Sequence, residues 1–478
     1  MTQTSSTSTG PANDTGSGMQ RGLQNRHIQM IALGSAIGTG LFLVSSSTIQ
    51  AAGPIVLLAY VVAGAVLFLI MRLLGEMAVA RPTSGSFSDY AHTYLGRTAG
   101  FVIGWNCWFT CIVVSMLELT AIGSFVEFWF PGLPHWVSAA IALTAITAVN
   151  LIHVSAFGEF EFWFTLIKVA AILAMIGLGV AIILGAGHYD VHGLDNLWSH
   201  GGFAPYGVHG LLLSLVGVTF TFAGIEVLGI TAGEAKRPEL SIPKAVNQVP
   251  IRILMFYVGA IGIMLIIWPW NRVGTDGSPF VLMLSGLGIG GAATLLNIVV
   301  ITAALSVYNS MAYSSARLMH SLAKKRQAPA LFTRINRQGV PVPGLLVNSA
   351  VTAVVVVLNY CFPGRLLMIL VAITLSAEII TWSSIALSHL RFRKAVALDA
   401  ASGRAFKAPF QPYSNYLCLA YFVLVVVLMA QIPDFRKGAI ALPLWLTVLI
   451  MASFAQRRFT RRVPAQDESS ETASIAQI

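Results

Sequence analysis

Apolar runs of roughly bilayer length recur from one end of this chain to the other, and they leave it few ways to fold. A hydrocarbon core about 30 Å thick takes about twenty residues of helix. Twelve stretches meet or approach that ruler: 28–49, 54–74, 99–130, 136–151, 160–184, 210–232, 251–268, 291–318, 344–360, 366–390, 416–431 and 439–454. Inside lipid every backbone N–H and C=O must find its partner within the protein, so runs of this kind form helices and pack as a bundle. Only 10% of the 478 residues are charged and 56% are hydrophobic, against about 25% charged in soluble domains. Because the runs continue throughout, a soluble domain on a single anchor is excluded.

The net charge of +10 points to nucleic acid only until its distribution is read. With the helices threaded alternately, all but five of the 29 Lys and Arg fall on the side of the N-terminus and the even-numbered loops. The exceptions are Arg272, Arg365, Arg436 and Lys437 on the opposite side and Lys168 within the membrane. This is the positive-inside bias, which predicts both termini in the cytoplasm and an even number of crossings. Residues 1–20, rich in Ser, Thr and Gly, lack a basic segment followed by an apolar core and read as a disordered cytoplasmic tail rather than a signal peptide. Residues 459–478 read as a second polar tail, with one transmembrane domain over 21–458 between them. Cys107, Cys111, Cys361 and Cys418 offer neither a disulfide framework nor metal spacing, and the first two read as packing residues one turn apart.

Within the first run the stretch LGSAIGTGLF, residues 33–42, places Gly34, Gly38 and Gly40 where a helix can least spare them. Each glycine costs about 1 kcal/mol of helix stability relative to alanine. The sixth run, LLLSLVGVTFTFAGIEVLGITAGEAK, again mixes glycine (Gly217, Gly224) with Thr219, Thr221 and an ionisable Glu226. The two interrupted runs stand five helices apart. Interruptions at corresponding positions of two halves point to an inverted-repeat transporter with a site at mid-membrane. An unwound helix frees N–H groups and a half-helix N-terminus for a carboxylate, and carbonyls for an ammonium. A site with both suits a zwitterion such as an amino acid. The alternative use of Gly34 and Gly38 is close helix packing, since they fit the small-xxx-small spacing.

Five ionisable side chains fall within apolar spans: Glu76, Glu118, Lys168, Glu226 and Glu378. Such groups cost at least about 2.5 kcal/mol to insert and mark ion or substrate pathways by default. Glu76 follows Arg72 by one turn near an interface and reads as a structural pair. Lys168, Glu118, Glu226 and Glu378 are the candidates for proton coupling, because a group out of water can change protonation as its surroundings change. Glu378 in TLSAEIITW has two readings, a carboxylate that favours a basic side chain such as that of histidine or lysine, or a second protonation site.

Taken together, RGLQNRHIQMIALGSAIGTGLF, MRLLGEMAVARPTSGSFSDYA, GEFEFWFTLIKV, ITAGEAKRPELSIPKAVNQVPIRILMFYVG and NIVVITAALSVYNSMAYSSARLMHSLA resemble the bacterial amino acid permeases of the amino acid–polyamine–organocation superfamily. The resemblance runs from about Arg21 to Arg458. It implies an all-α integral membrane fold of about twelve helices in a 5+5 inverted repeat, with discontinuous helices 1 and 6. The first repeat would cover 27–184, the second 208–390, and two extra helices 413–456. It further implies proton-coupled import of amino acids across the inner membrane, with the proton gradient as the coupling ion and no other cofactor. The substrate backbone would bind Ser35, Ala36, Ile37, Gly38, Thr39 and Gly40 together with Phe220, Thr221, Phe222 and Ala223. Phe220 matches a gating aromatic, Lys168 takes the place of a sodium ion, and Glu226 ends the helix-6 motif. The segments around 104–131 and 302–320 look most like the aromatic permeases, whereas Cys107, Phe109, Cys111 and Glu378 depart from them. The expected substrate is therefore aromatic, with histidine, proline, lysine and 4-aminobutyrate as alternatives.

Scattered single charges argue against a channel, which needs a continuous polar ring. His188, His192, His200 and His209 gather in the loop after the fifth run without a zinc-protease spacing, so an enzyme is not expected and the loop reads as solvated. A non-transporting amino acid sensor is the rival from another class; the short tails leave it no added soluble domain. The expected partners are the amino acid, protons and the lipid bilayer, without nucleic acid, and the oligomeric state is left open.

Overall fold

The computed structural model describes residues 34, 37–83, 85–152, 155–186, 193–226, 229, 238–274, 277–336, 339–362, 364–397 and 406–462. Among these every regular element is helical. The passes are α1 (a π-helical turn Gly40–Val44 continuing as Ser45–Ala52), α2 (Val56–Ala80), α3 (Arg97–Val126), α4 (His135–Ile152), α5 (Ser155–Ile183) and α6 (Gly207–Thr221). They continue as α7 (Glu239–Ile267), α8 (Gly290–Lys324), α9 (Val342–Cys361), α10 (Leu366–Ala397), α11 (Tyr413–Gln431) and α12 (Pro433–Arg462). The chain turns between α1 and α2 at Gly53, whose φ of 71° is left-handed, and Pro54 then opens the next short helix.

The packing repeats after five helices. α1 lies on α6, α3 on α8 and α4 on α9, while the contact of α3 with α10 is answered by that of α8 with α5. This is the pattern expected of two halves related by a two-fold axis in the membrane plane. α11 and α12 stand outside both halves and pack on α10, with α12 also reaching α3. α3 and α10 are the most buried passes and α12 the least. Large apolar side chains such as Ile141, Trp163, Val357, Val423 and Leu444 point outward, where lipid rather than water meets them. Between helices, polar pegs fix the register: Asn297 Nδ2 donates to the Phe125 carbonyl at 2.8 Å and Asn359 Nδ2 to Thr120 Oγ1 at 3.0 Å.

Two expectations need correction. The seventh helix starts not near 251 but at Pro238, because PELSIPKAVN is amphipathic rather than apolar: Ile242, Ala245 and Val246 are buried, with Ile242 and Val246 lying against Gly75 of α2. Glu76 turns away from Arg72. It accepts hydrogen bonds from His389 Nε2 (3.1 Å), the Ala408 N–H (2.8 Å) and Gln411 Nε2 (2.9 Å), and pairs with Arg393 at 3.0 Å. Arg72 donates instead to Asn247 and the Lys407 carbonyl. The role of Glu76 is structural, as expected, but it ties α2 to α10 and to the segment before α11.

Candidate functional site

Both glycine-bearing runs are interrupted part-way along. Ile37 and Gly38 form a bend, and α1 starts just beyond it at Gly40 in a wide π-helical turn. α6 stops at Thr221, and the chain continues in tight turns: Phe222 N–H to Thr219, Ala223 N–H to Phe220 and Ile225 N–H to Phe222, with Gly224 at φ 94°. The Thr221 carbonyl at this end takes the Tyr257 hydroxyl of α7 at 3.0 Å. The two interruptions touch each other. A Cβ placed on Gly40 would stand 2.7 Å from Thr221 Cα, and one on Gly34 would stand 2.0 Å from Thr165 Oγ1. The glycines therefore serve both readings, since the breaks exist and close packing at the breaks requires them.

A cavity lies against this junction. Gly38, Thr39, Gly40, Phe220, Thr221, Ala223 and Gly224 form its floor, and Val114, Val307, Met311 and Leu318 an apolar wall. Phe87, Cys107 and Leu318 carry it toward the helix ends that bear Arg81, Arg97 and Lys324, so it faces the basic side of the bundle. On the other side Phe42 and Phe280, both fully buried, meet edge to face at 6.1 Å. There Leu43 lines a second, wider depression with Thr120, Ser124, Asn359 and Leu366. The Gly40–Val44 turn thus stands between a cavity on each side.

Of the residues expected to hold the substrate, Gly38, Thr39, Gly40, Phe220, Thr221 and Ala223 line the inner cavity. Ser35 and Ala36 lie outside the described residues. Ile37 is buried in the core away from the lining. Phe222 also turns away and packs between Tyr60 and Tyr257, with ring centres at 6.1 and 4.8 Å. The four ionisable candidates are all buried. Glu118, Glu226 and Glu378 line the cavity, whereas Lys168 stands behind it. Glu118 Oε1 accepts from Thr39 Oγ1 at 3.0 Å, while its Oε2 has no hydrogen-bond partner among the described residues. Lys168 Nζ donates to the Gly34 carbonyl at 3.3 Å, so α5 clamps the entry to the bend.

Several contributors escaped the sequence reading. Glu161 precedes Lys168 by two turns on the same face of α5 and accepts from Ser306 Oγ at 2.8 and 2.9 Å. That seven-residue spacing was the available signal. Trp382, one turn after Glu378, donates Nε1 to Glu226 Oε2 at 3.1 Å and stacks on Phe422. Asn106 Nδ2 donates to the Ala377 carbonyl at 2.8 Å and Thr381 Oγ1 at 3.0 Å, while its Oδ1 accepts from Trp445. Cys107 and Cys111 do pack, but at the edge of the cavity.

A family model described as amino acid permease matches residues 27–464. The chain is similar to the aromatic amino acid transport protein AroP of Escherichia coli (strain K12) and of Salmonella typhimurium (strain LT2), at 46% identity over 94% of this chain and 98% of each relative. It is also similar to the uncharacterized amino acid permease YtnA of Bacillus subtilis (strain 168), at 44% identity over 94% of this chain and 98% of that one.

Proposed function

The chain belongs to the amino acid permease family, and on that footing we propose that it is a proton-coupled symporter that imports L-aromatic amino acids across the cytoplasmic membrane, both termini inside. It is a multi-pass membrane protein and a transporter rather than an enzyme. The observation that carries the proposal is the meeting of two broken helices, Gly40 against Thr221, at the floor of a cavity with aliphatic walls. Main-chain N–H groups around Gly38–Gly40 suit the α-carboxylate, and the free Oε2 of Glu118 suits the α-ammonium. Val114, Val307 and Met311 offer a large apolar side chain its seat, with Phe220 on the floor beside them as the candidate gate. Proton coupling falls to Lys168, which touches the Gly34 carbonyl, with Glu118, Glu226 and Glu378 as the other groups within reach of the cavity. The printed name of the relatives at 46% identity supports the aromatic class.

The test is reconstitution in liposomes with an acidic exterior, labelled phenylalanine, and competition by each common amino acid. Accumulation that collapses with a protonophore, and competition by phenylalanine, tyrosine and tryptophan, is expected. Accumulation indifferent to the pH gradient rejects symport, and absence of competition by aromatic amino acids rejects the substrate class.

A further inference from the structure

We infer that Glu226 and Glu378 form a side-chain subsite that takes an aromatic ring bearing a nitrogen donor, the indole of tryptophan or the imidazole of histidine, in preference to the plain ring of phenylalanine. The inference rests on the amino acid carrier reading and names the substrate class within it.

Glu378 is 3% exposed and lines the cavity, yet among the described residues no donor reaches its carboxylate. A carboxyl group withdrawn from bulk water into a cavity is costly unless something in the site satisfies it. Glu226 lines the same cavity, and among the described residues its one side-chain donor is Trp382 Nε1, one turn after Glu378. Among the described residues the cavity lining holds three carboxyl groups, Glu118, Glu226 and Glu378, and no Lys, Arg or His. Glu118 sits at the Gly38–Thr39 bend with its own Oε2 unsatisfied, which assigns it to the main-chain end of the substrate. The other pair, Glu226 after the end of α6 and Glu378 on α10, lines the same cavity and is assigned to the side chain. The walls between are Val114, Val307, Met311 and Phe220, which favour a flat apolar body over a flexible charged one. A ring carrying an N–H at its rim meets both demands, since the apolar edge packs on the wall and the donor reaches the acids.

The rival occupant of an acid pair is a proton alone, and the two can be separated. Purified full-length protein is assayed for displacement of labelled phenylalanine by tryptophan, histidine, lysine and phenylalanine, in wild type, Glu378→Leu and the isosteric Glu378→Gln. Hydrogen bonds to charged groups are worth enough that removing one weakens binding about tenfold or more. Glu378→Leu is expected to raise the tryptophan and histidine constants about tenfold, and Glu378→Gln, which keeps one acceptor oxygen but no charge, by less, while phenylalanine stays within about twofold and wild type prefers tryptophan over lysine. Equal changes for every competitor overturn the subsite. So does unchanged selectivity accompanied by loss of pH-driven accumulation, which makes Glu378 a proton group only. Wild-type protein that binds none of the four fails earlier, at the carrier reading itself.

Discussion

Substituting alanine at the two glycines that meet neighbouring helices, Gly34 and Gly40, separates a backbone junction from a side-chain contact. A methyl group on Gly40 meets Thr221 Cα at 2.7 Å and the Thr221 carbonyl oxygen at 3.2 Å. These are main-chain atoms, so the clash is relieved only by moving α1 off the end of α6. A methyl group on Gly34 meets Thr165 Oγ1 at 2.0 Å, Cβ at 3.1 Å and Cγ2 at 3.2 Å, all atoms of one side chain. Overpacking of this kind costs about 1–3 kcal/mol. At 1.4 kcal/mol per decade that is about 5- to 150-fold in affinity where the strain falls on the bound geometry. Gly40→Ala is expected near the upper end, and adding Thr221→Ala is expected to restore little because Cα and the carbonyl remain. Gly34→Ala is expected to be comparably weak alone, and Thr165→Ala, which removes Oγ1 and Cγ2, is expected to return most of the loss. Substrate Kd by displacement and Tm in detergent are measured for all four. Wild-type affinity in Gly40→Ala refutes the junction, as does rescue by Thr221→Ala equal to that by Thr165→Ala.

Other perturbations bear on separate parts of the site. Lys168→Ala should retain substrate binding within about tenfold but lose pH-driven accumulation in liposomes; accumulation equal to wild type removes Lys168 from coupling. Phe220→Ala removes an aromatic ring from the cavity floor and should raise the aromatic Kd by about tenfold, the order of one buried ring edge, whereas Phe222→Ala should act on Tm first because its ring packs on Tyr60 and Tyr257. Tyr257→Phe leaves the Thr221 carbonyl without its hydroxyl partner, at about 1 kcal/mol or about fivefold; the displacement assay reads it, and no change means that carbonyl is satisfied otherwise.

Hydropathy alone exposed the crossings, because a helix in lipid has to be apolar for about twenty residues. It also exposed the breaks, since glycine clusters and lone charges are too costly there to be incidental. Three of the four ionisable candidates line the cavity for the same reason. What stayed hidden depends on rotation and on distant chain. Phe220 and Phe222 lie two residues apart, which turns them to opposite sides even in an unbroken helix, but which one meets the cavity is set by Tyr60 and Tyr257 on other helices, against which Phe222 packs. Local spacing pointed Glu76 to Arg72, but Ala408 and Gln411 approach it from over 300 residues away. Asn106 likewise owes its importance to Thr381 and Trp445, neither of which leaves a trace near residue 106.

The described bonds also sort the helices by what must move together. α1, α2, α6 and α7 are joined through close backbone approaches at Gly40 and Gly210, the Tyr60–Phe222–Tyr257 stack and the Tyr257–Thr221 bond. α3, α4, α8 and α9 are joined through Trp108–Asn348, Asn348–Ser315, Asn150–Asn309 and Asn359–Thr120. At the cavity the two groups are linked by the hydrogen bond from Thr39 Oγ1 to Glu118 Oε1. Among the described residues the other oxygen of this carboxylate has no hydrogen-bond partner, so on the proposed function an ammonium bound there would act on this link. A ligand shifts an equilibrium only by its difference in affinity for the two states, and a group that both binds the ligand and bridges the halves is where that difference can arise. α5 is fastened to both groups, by Lys168 to Gly34 and by Glu161 to Ser306, so on the proposed function a change of charge at Lys168 would be felt by both.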